Sequence, residues 1–114
     1  MEKKLTFILI IILVIAAIGV ITYIKTPDTT EITPEVMNCI ASKSQLYVSS
    51  ACSHCEQQKE ILGEYLGLFN ITDCLDDAEV CPSKNIRAVP TWIINDAEYL
   101  GAKSLKELKT LADC

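Results

Sequence analysis

The sequence predicts a mixed α/β domain, in which helices flank a central sheet, preceded by a single amino-terminal transmembrane helix. Three observations lead to this prediction. Residues 5–24 contain 17 apolar residues and no charged residue. In the ninety residues that follow, short apolar runs alternate with helical patterns. All six cysteines lie in those ninety residues, a density that is typical of small domains in oxidising compartments.

The part of the chain after the apolar segment is acidic. Residues 25–114 carry 8 basic and 14 acidic side chains. Because surfaces that bind DNA or RNA need basic residues to contact phosphates, we do not expect a nucleic-acid partner. Ninety residues are also enough for one soluble domain and too few for several.

The apolar segment is long enough to cross a bilayer. Twenty helical residues span about 30 Å, which is the thickness of the hydrocarbon core. Lys3 and Lys4 precede the segment, whereas acidic residues follow Lys25. This bias places the amino terminus in the cytoplasm and the domain on the extracytoplasmic side of the cell membrane. A cleaved signal peptide is the alternative, since Ala17 and Gly19 are small residues near a plausible cleavage site.

We therefore expect three segments: a signal anchor at 1–24, a linker at 25–33 and a folded domain at 34–114. The periodicity of apolar residues predicts the elements of the domain. In chain order they are a helix at 34–42, a strand at 45–49, a helix at 52–66, a strand at 68–72, a weak helix at 77–84 interrupted by Pro82, a strand at 91–95, a turn at 96–97, a strand at 98–101 and a helix that begins at Ser104 with a capping box to Glu107. This order predicts a mixed sheet covered by helices.

The first candidate site is the Cys-x-x-Cys motif of Cys52 and Cys55, between a predicted strand and a predicted helix. Unpaired N–H groups and the dipole at a helix amino terminus stabilise a thiolate, so Cys52 is the expected nucleophile. His54, the only histidine, lies between the two cysteines, and as a cation it would stabilise the thiolate further. A stabilised thiolate makes the disulfide a stronger oxidant. Cys55, one turn later, is the expected resolving thiol.

The second candidate is Val89-Pro90-Thr91, which comes just before the third predicted strand. A proline at the start of a strand removes a backbone donor, and an X–Pro bond adopts the cis form at modest energetic cost. Such a turn, placed opposite Cys52, would expose the backbone of Val89 for pairing with an extended substrate. We therefore expect Val89, Pro90 and Thr91 to bind the substrate chain.

Together these motifs resemble the thioredoxin fold family, in which a Cys-x-x-Cys opens a helix and a cis-proline follows later in the chain. The resemblance carries the catalytic pair and the cis-proline over to Cys52, Cys55 and Pro90. Residues 36–114 are more narrowly similar to the thioredoxin-like partners of vitamin K epoxide reductase homologues, which occur as a fused domain or as a separate membrane-tethered protein. The segments that carry this similarity are 39–63, Cys74, Cys81, 86–92, Gly101, 104–108 and Cys114.

The resemblance implies an extracytoplasmic dithiol oxidase without a bound cofactor. Its redox-active pair would oxidise thiols of exported proteins and would be reoxidised by a quinone-reducing membrane partner of the vitamin K epoxide reductase type. Two departures from the thioredoxin pattern bear on this expectation. Ala51 stands where most thioredoxin-like proteins have an aromatic residue, and the strand at 45–49 lacks the buried acid that serves cytosolic thioredoxins as a proton acceptor. The missing base favours an oxidase over a reductase.

Outside the motif, four cysteines remain, which allow three pairings that the spacing alone does not distinguish. The resemblance implies the structural disulfides Cys39–Cys114 and Cys74–Cys81. A bond between Cys74 and Cys81 would close a small loop and compensate for a thin core.

Several other readings of the motif are possible. Cys-x-x-Cys supplies two zinc ligands naturally, but Cys74 and Cys81 are spaced too far apart to complete a common zinc motif, so we expect no metal. A purely structural disulfide in so tight a loop would stabilise little. Two functional alternatives stay open: a disulfide reductase or isomerase fed by a membrane electron carrier, and a non-catalytic adaptor that binds a membrane partner through the thioredoxin surface.

Overall fold

The computed structural model describes residues 1–23 and 31–114. They form two units, Met1–Glu31 and Ile32–Cys114. The first unit contains helix α1 (Glu2–Tyr23), of which Glu2–Ile21 is apolar and long enough to cross a membrane. A signal sequence meets the same criterion. Residues 24–30, which include most of the predicted linker, lie outside the described residues, and the division into anchor, linker and domain stays a prediction.

The second unit is a four-stranded sheet with helices packed on it, so the predicted mixed α/β fold is confirmed. The sheet order is β2-β1-β3-β4; β1 pairs with β2 in parallel and with β3 antiparallel, and β3 and β4 form an antiparallel hairpin. The elements are α2 (Pro34–Ser42), β1 (Ser44–Val48), α3 (Ser53–Leu62), a 3₁₀ helix (Gly63–Leu68), β2 (Asn70–Asp73), α4 (Val80–Ser83), β3 (Thr91–Ile94), β4 (Ala97–Leu100) and α5 (Leu105–Leu111).

The predicted helix at 52–66 is too long. Helix α3 ends at Leu62, because Gly63 follows with a φ of 54°, in the left-handed region that ends helices. A 3₁₀ helix then takes up the next six residues. As a consequence, β2 begins at Asn70, two residues later than the start of the strand predicted at 68–72.

Two further boundaries differ from the prediction for local reasons. The hairpin turn lies at Asn95 and Asp96, whose φ angles of 49° and 65° match a two-residue turn that requires positive φ at both positions. The predicted helix at 77–84 shrinks to the four residues of α4. Pro82 lies inside its first turn, where the missing N–H would have no partner within the helix, so the proline does not interrupt it.

The main core fills the space between the sheet and the helices α2, α3 and α5. Trp92 of β3 is completely buried there and meets Phe69 edge-to-face, with 5.5 Å between the ring centroids. A second, smaller cluster consists of Tyr47, Cys81 and Ile86, with partly buried neighbours. Because Leu46 belongs to the main core and Tyr47 to the smaller cluster, successive residues of β1 are buried on opposite faces.

Candidate functional site

The site begins where β1 ends. After a short turn, Cys52 occupies the N-cap of α3 with extended backbone angles, and its Sγ accepts the N–H of Cys55 at 3.1 Å. Cys52 and Cys55 form a disulfide. Cys52 is half-buried, whereas Cys55 is completely buried. The structure therefore places the first sulfur at the positive end of a helix, where a thiolate formed by reduction would be stabilised.

The Val89–Pro90 loop lies against this sulfur. The Val89–Pro90 peptide bond is cis, and the carbonyl oxygen of Val89 lies 3.7 Å from Sγ of Cys52. The carbonyl of Pro90 accepts the N–H of Gly101 at 2.8 Å, which ties the loop to the end of β4. The two candidate motifs, 37 residues apart in the chain, are thus brought together.

The three residues of this second motif have different surroundings. Val89 is half-buried and is the residue that contacts Cys52. Pro90 is buried, and Thr91 is completely buried with its hydroxyl donating to the carbonyl of Ala88 at 2.6 Å. The Thr91 side chain therefore supports the loop from inside. Substrate binding by Val89, Pro90 and Thr91 stays a prediction.

His54 lies on the exposed surface of α3. Its Nδ1 is 3.4 Å from Oε1 of Gln57, one turn along the helix. The ring therefore lies in solvent beside the disulfide-bearing turn. Its predicted role in stabilising the Cys52 thiolate stays a prediction.

One residue near the site was not predicted from the sequence. Gln58 is completely buried, and its amide hydrogen-bonds to the Trp92 indole and to the backbone of Lys103. A signal was available: Gln58 lies three residues after Cys55 and four before Leu62, so all three share one face of α3.

The other two disulfides are the pairs that the resemblance implied. Cys39 of α2 is bonded to Cys114, with a sequence separation of 75 residues. Cys74, which follows β2, is bonded to Cys81 of α4, with a separation of seven. Their role as structural cross-links stays a prediction. In residues 1–23 and 31–114, no group of three or more His, Cys, Asp or Glu side chains is placed to hold a metal ion.

Fold and site together define a class. A mixed sheet of this order, a Cys-x-x-Cys at the start of a helix and a cis-proline against the first cysteine make a thioredoxin-like domain with a disulfide at the amino terminus of α3. This is the fold that the sequence motifs implied.

Among proteins of known description, the chain is similar in sequence to a thiol-disulfide oxidoreductase. The chain is 36% identical over 81 residues to thiol-disulfide oxidoreductase LTO1 of Arabidopsis thaliana; the match covers 63% of this chain and 21% of the relative. The chain therefore spans about a fifth of the length of that curated relative. No protein-family model matches the sequence.

The solved structures that are similar to the chain include a thioredoxin and a J-Trx1 fragment. The oxidised thioredoxin of Plasmodium falciparum aligns with a TM-score of 0.44 and 22% identity, over 72% of this chain and 90% of that one. The J-Trx1 fragment of ERdj5 aligns with a TM-score of 0.39 and 22% identity, over 73% of this chain and 47% of that one.

Proposed function

We propose that the protein is a membrane-anchored, extracytoplasmic thiol–disulfide oxidoreductase that oxidises cysteine pairs in exported proteins. One observation carries the proposal: the Cys52–Cys55 disulfide caps α3 and lies against the carbonyl of Val89 beside a cis-proline. A disulfide that served only as a cross-link would gain little from this position. The similarity to a protein described as a thiol-disulfide oxidoreductase supports the same activity.

The exchange reaction uses the two sulfurs in turn. A substrate thiolate attacks Sγ of Cys52, the bond to Cys55 breaks, and its electron pair leaves on the Cys55 sulfur, which takes up a proton. A second substrate thiolate then attacks the substrate sulfur of this mixed disulfide and releases the Cys52 thiolate. Two electrons have passed from the substrate to the protein, and the substrate has gained a disulfide.

The helix amino terminus favours the oxidase direction. The N–H of Cys55 points to Sγ of Cys52 at 3.1 Å and would stabilise the released thiolate. Stabilising the reduced form makes the disulfide a stronger oxidant. In addition, β1 carries no acidic residue that could serve as a buried proton acceptor for the reverse reaction.

The proposed binding surface for the substrate chain is the loop at Val89. An extended chain that pairs with the Val89 backbone would bring its sulfur to Cys52, since the Val89 carbonyl is already 3.7 Å from that sulfur. Such a backbone contact accepts many sequences, which suits an enzyme that acts on different exported proteins.

The proposed electron acceptor is a quinone-reducing membrane protein of the vitamin K epoxide reductase type. The Cys52 thiolate would attack a disulfide of this partner, and Cys55 would then resolve the mixed disulfide, so that two electrons pass to the partner. Helix α1, with its amino terminus in the cytoplasm, would hold the domain at the membrane surface beside the partner. In the LTO1 relative, about four fifths of the length lies outside the match, which leaves room for a fused partner.

The experiment that tests this function is a trap in membranes. Cys55→Ala leaves Cys52 free to form mixed disulfides that cannot be resolved, and the double variant Cys52→Ser with Cys55→Ala is the matched control. We expect the single variant to retain a quinone-reducing membrane protein together with exported proteins, and the control to retain neither. Recovery of a membrane protein that delivers electrons, without a quinone reductase, would support a reductase instead. Equal recovery by both variants would indicate a non-catalytic adaptor.

The same membranes test the anchor. We expect the intact mass of the membrane-bound protein to include residues 1–24. A mature chain that begins near residue 20 would show that the segment is a cleaved signal peptide.

A further inference from the structure

A buried amide lies on α3, about one helical turn after the second cysteine of the disulfide. Gln58 and Cys55 are both completely buried on one face of α3, three residues apart, so their Cβ atoms are about 5–6 Å from each other. Oε1 of Gln58 accepts hydrogen bonds from the Trp92 indole at 2.9 Å and from the Lys103 N–H at 2.6 Å. Its Nε2 donates to the Lys103 carbonyl at 3.1 Å. The amide thus joins α3 to β3 and to the segment that precedes α5.

Both partners of this amide are linked to the loop that contacts Cys52. Trp92 is the second residue after Pro90 in the chain. Lys103 follows Gly101, whose N–H donates to the Pro90 carbonyl at 2.8 Å. The hydrogen bonds of Gln58 therefore fix the spacing between the helix that carries the disulfide and the loop that would receive the substrate.

The amide is also uncharged, which matters for the chemistry. Opening the disulfide releases a thiolate, and a negative charge on its buried side would oppose that step. A carboxyl group in this place could make the same three hydrogen bonds only in its protonated form, because only a hydroxyl could donate to the Lys103 carbonyl. An amide makes them at every pH.

We infer that Gln58 is a positioning residue of the exchange reaction: its neutral amide holds the helix of Cys52 and Cys55 in register with the cis-proline loop and leaves the buried side of the disulfide uncharged. The inference rests on the proposed function, since it requires a redox-active disulfide. It assigns a role to a residue that touches neither the substrate nor a reacting sulfur.

Three charged side chains on the surrounding elements, those of Lys103, Lys59 and Glu107, have partners other than the Gln58 amide. Lys103 contacts Gln58 through its backbone, while its ammonium group donates to the carbonyls that follow β4. On α3, Lys59 pairs with a glutamate at 2.9 Å. On α5, Glu107 accepts hydrogen bonds from the capping serine. These groups are unchanged in the variants compared below, so they contribute equally to every pH profile.

The test is the rate at which dithiothreitol reduces the disulfide of the full chain in detergent, measured across pH for the wild type and for Gln58→Glu and Gln58→Met. One dithiothreitol thiolate attacks Cys52, the Cys55 sulfur leaves and takes a proton, and the second dithiothreitol thiolate closes the reagent's ring and releases reduced Cys52. Trp92 is the only tryptophan in the chain, so its fluorescence reports directly on its hydrogen bond to residue 58.

Gln58→Glu should behave as the wild type at low pH, where the protonated carboxyl restores all three hydrogen bonds. When the carboxyl ionises, we expect reduction to slow by at least about tenfold relative to the wild type, because a buried unit charge about one helical turn from the developing thiolate opposes its formation. The emission of Trp92 should change over the same pH range. Gln58→Met, which has no hydrogen bonds at any pH, should be slower by a factor that does not vary with pH.

The matched control is Gln45→Glu. Gln45 is a half-buried glutamine on β1 whose amide donates to the Thr72 hydroxyl at 3.0 Å, and its variant should keep the wild-type pH profile. A Gln58→Glu protein with wild-type rates and wild-type Trp92 emission at every pH would overturn the inference. A folded Gln58→Met protein with the wild-type rate would do the same, and if that variant does not fold, the glutamate variant decides. A wild-type disulfide that does not exchange at all would instead overturn the proposed function.

Discussion

Two disulfides of the domain differ in their surroundings and in the length of chain that they close. Cys52–Cys55 has a separation of three residues, and Sγ of Cys52 accepts a backbone N–H at 3.1 Å. Cys39–Cys114 has a separation of 75 residues, and Sγ of Cys114 lies 3.6 Å from the carbonyl oxygen of Ala112. Sγ of Cys52 thus faces a backbone donor at a helix terminus as well as the Val89 carbonyl oxygen at 3.7 Å, whereas Sγ of Cys114 faces a carbonyl oxygen.

We expect the two disulfides to differ both in how readily their sulfurs react and in how much they stabilise the fold. A backbone donor stabilises a thiolate, whereas a carbonyl oxygen opposes negative charge. By loop-closure entropy, the long-range bond stabilises the fold by about 4–5 kcal/mol and the Cys-x-x-Cys bond by only about 2 kcal/mol. We therefore expect the Cys52–Cys55 bond to exchange and the Cys39–Cys114 bond to act as a cross-link.

The largest expected effect comes from removing the first sulfur of the exchange site. In Cys52→Ser, thiol oxidation of a model peptide should fall by at least about a thousandfold, because a serine hydroxyl forms no disulfide and does not ionise near neutral pH. The free energy of unfolding should change by no more than about 2 kcal/mol. Retained oxidation by a folded Cys52→Ser protein would contradict the assignment of the nucleophile.

The sequence motifs identified the residues that the structure brings together at the Cys52–Cys55 disulfide, but they did not identify Gln58. Cys52, Cys55 and Pro90 could be predicted because the spacing of short motifs depends on local chemistry. Gln58 could not be predicted as readily, because a helical glutamine is usually exposed. It is buried because Trp92 and Lys103, 34 and 45 residues away, converge on its amide.

The order of the helices and strands was predicted correctly, but the end of one helix was not. The order of strands and helices followed from apolar periodicity and from the capping box at Ser104, which is present in the structure. The end of α3 was missed because Gly63 was counted as part of a continuous helix rather than as a residue that adopts positive φ. A glycine after the last buried leucine is a usable signal for the end of a helix.

The second prediction concerns the cross-link in the comparison. Replacing Cys39 and Cys114 together by serine should lower the free energy of unfolding by about 4–5 kcal/mol in denaturant titrations. Below its melting temperature, the variant should oxidise peptides at close to the wild-type rate, because the exchange site is untouched. The double replacement avoids leaving a free thiol that could attack Cys52. A large loss of activity in the folded variant would show that the two regions are coupled.

The third prediction concerns Cys74–Cys81, whose sequence separation lies between those of the other two disulfides. Removing Cys74–Cys81 by double alanine replacement should cost about 2–3 kcal/mol of stability, as its separation of seven residues indicates. Val89 packs against the cluster that contains Cys81, and its carbonyl contacts Cys52. We therefore expect the oxidation rate to fall severalfold as well. The Cys39 and Cys114 double variant is the control, and equal rates in the two double variants would show that the cluster does not position the loop.

The smallest expected effect lies in α5, away from both regions compared above. Ser104 caps this helix. Its backbone N–H and, to a smaller extent, its hydroxyl hold the pKa of the Glu107 carboxyl below its usual value. Because the folded pKa is lowered, the stabilisation is fully present above the usual glutamate pKa and is lost as the pH falls through the lowered value. Ser104→Ala should cost about 1 kcal/mol near neutral pH, and the difference in melting temperature from the wild type should shrink at about pH 3. Ser42→Ala, an exposed serine within α2, serves as the control and should show no such pH dependence. A Ser104→Ala difference that stays constant from about pH 3 to about pH 7 would show that the serine hydroxyl contributes nothing to the lowered pKa of the Glu107 carboxyl.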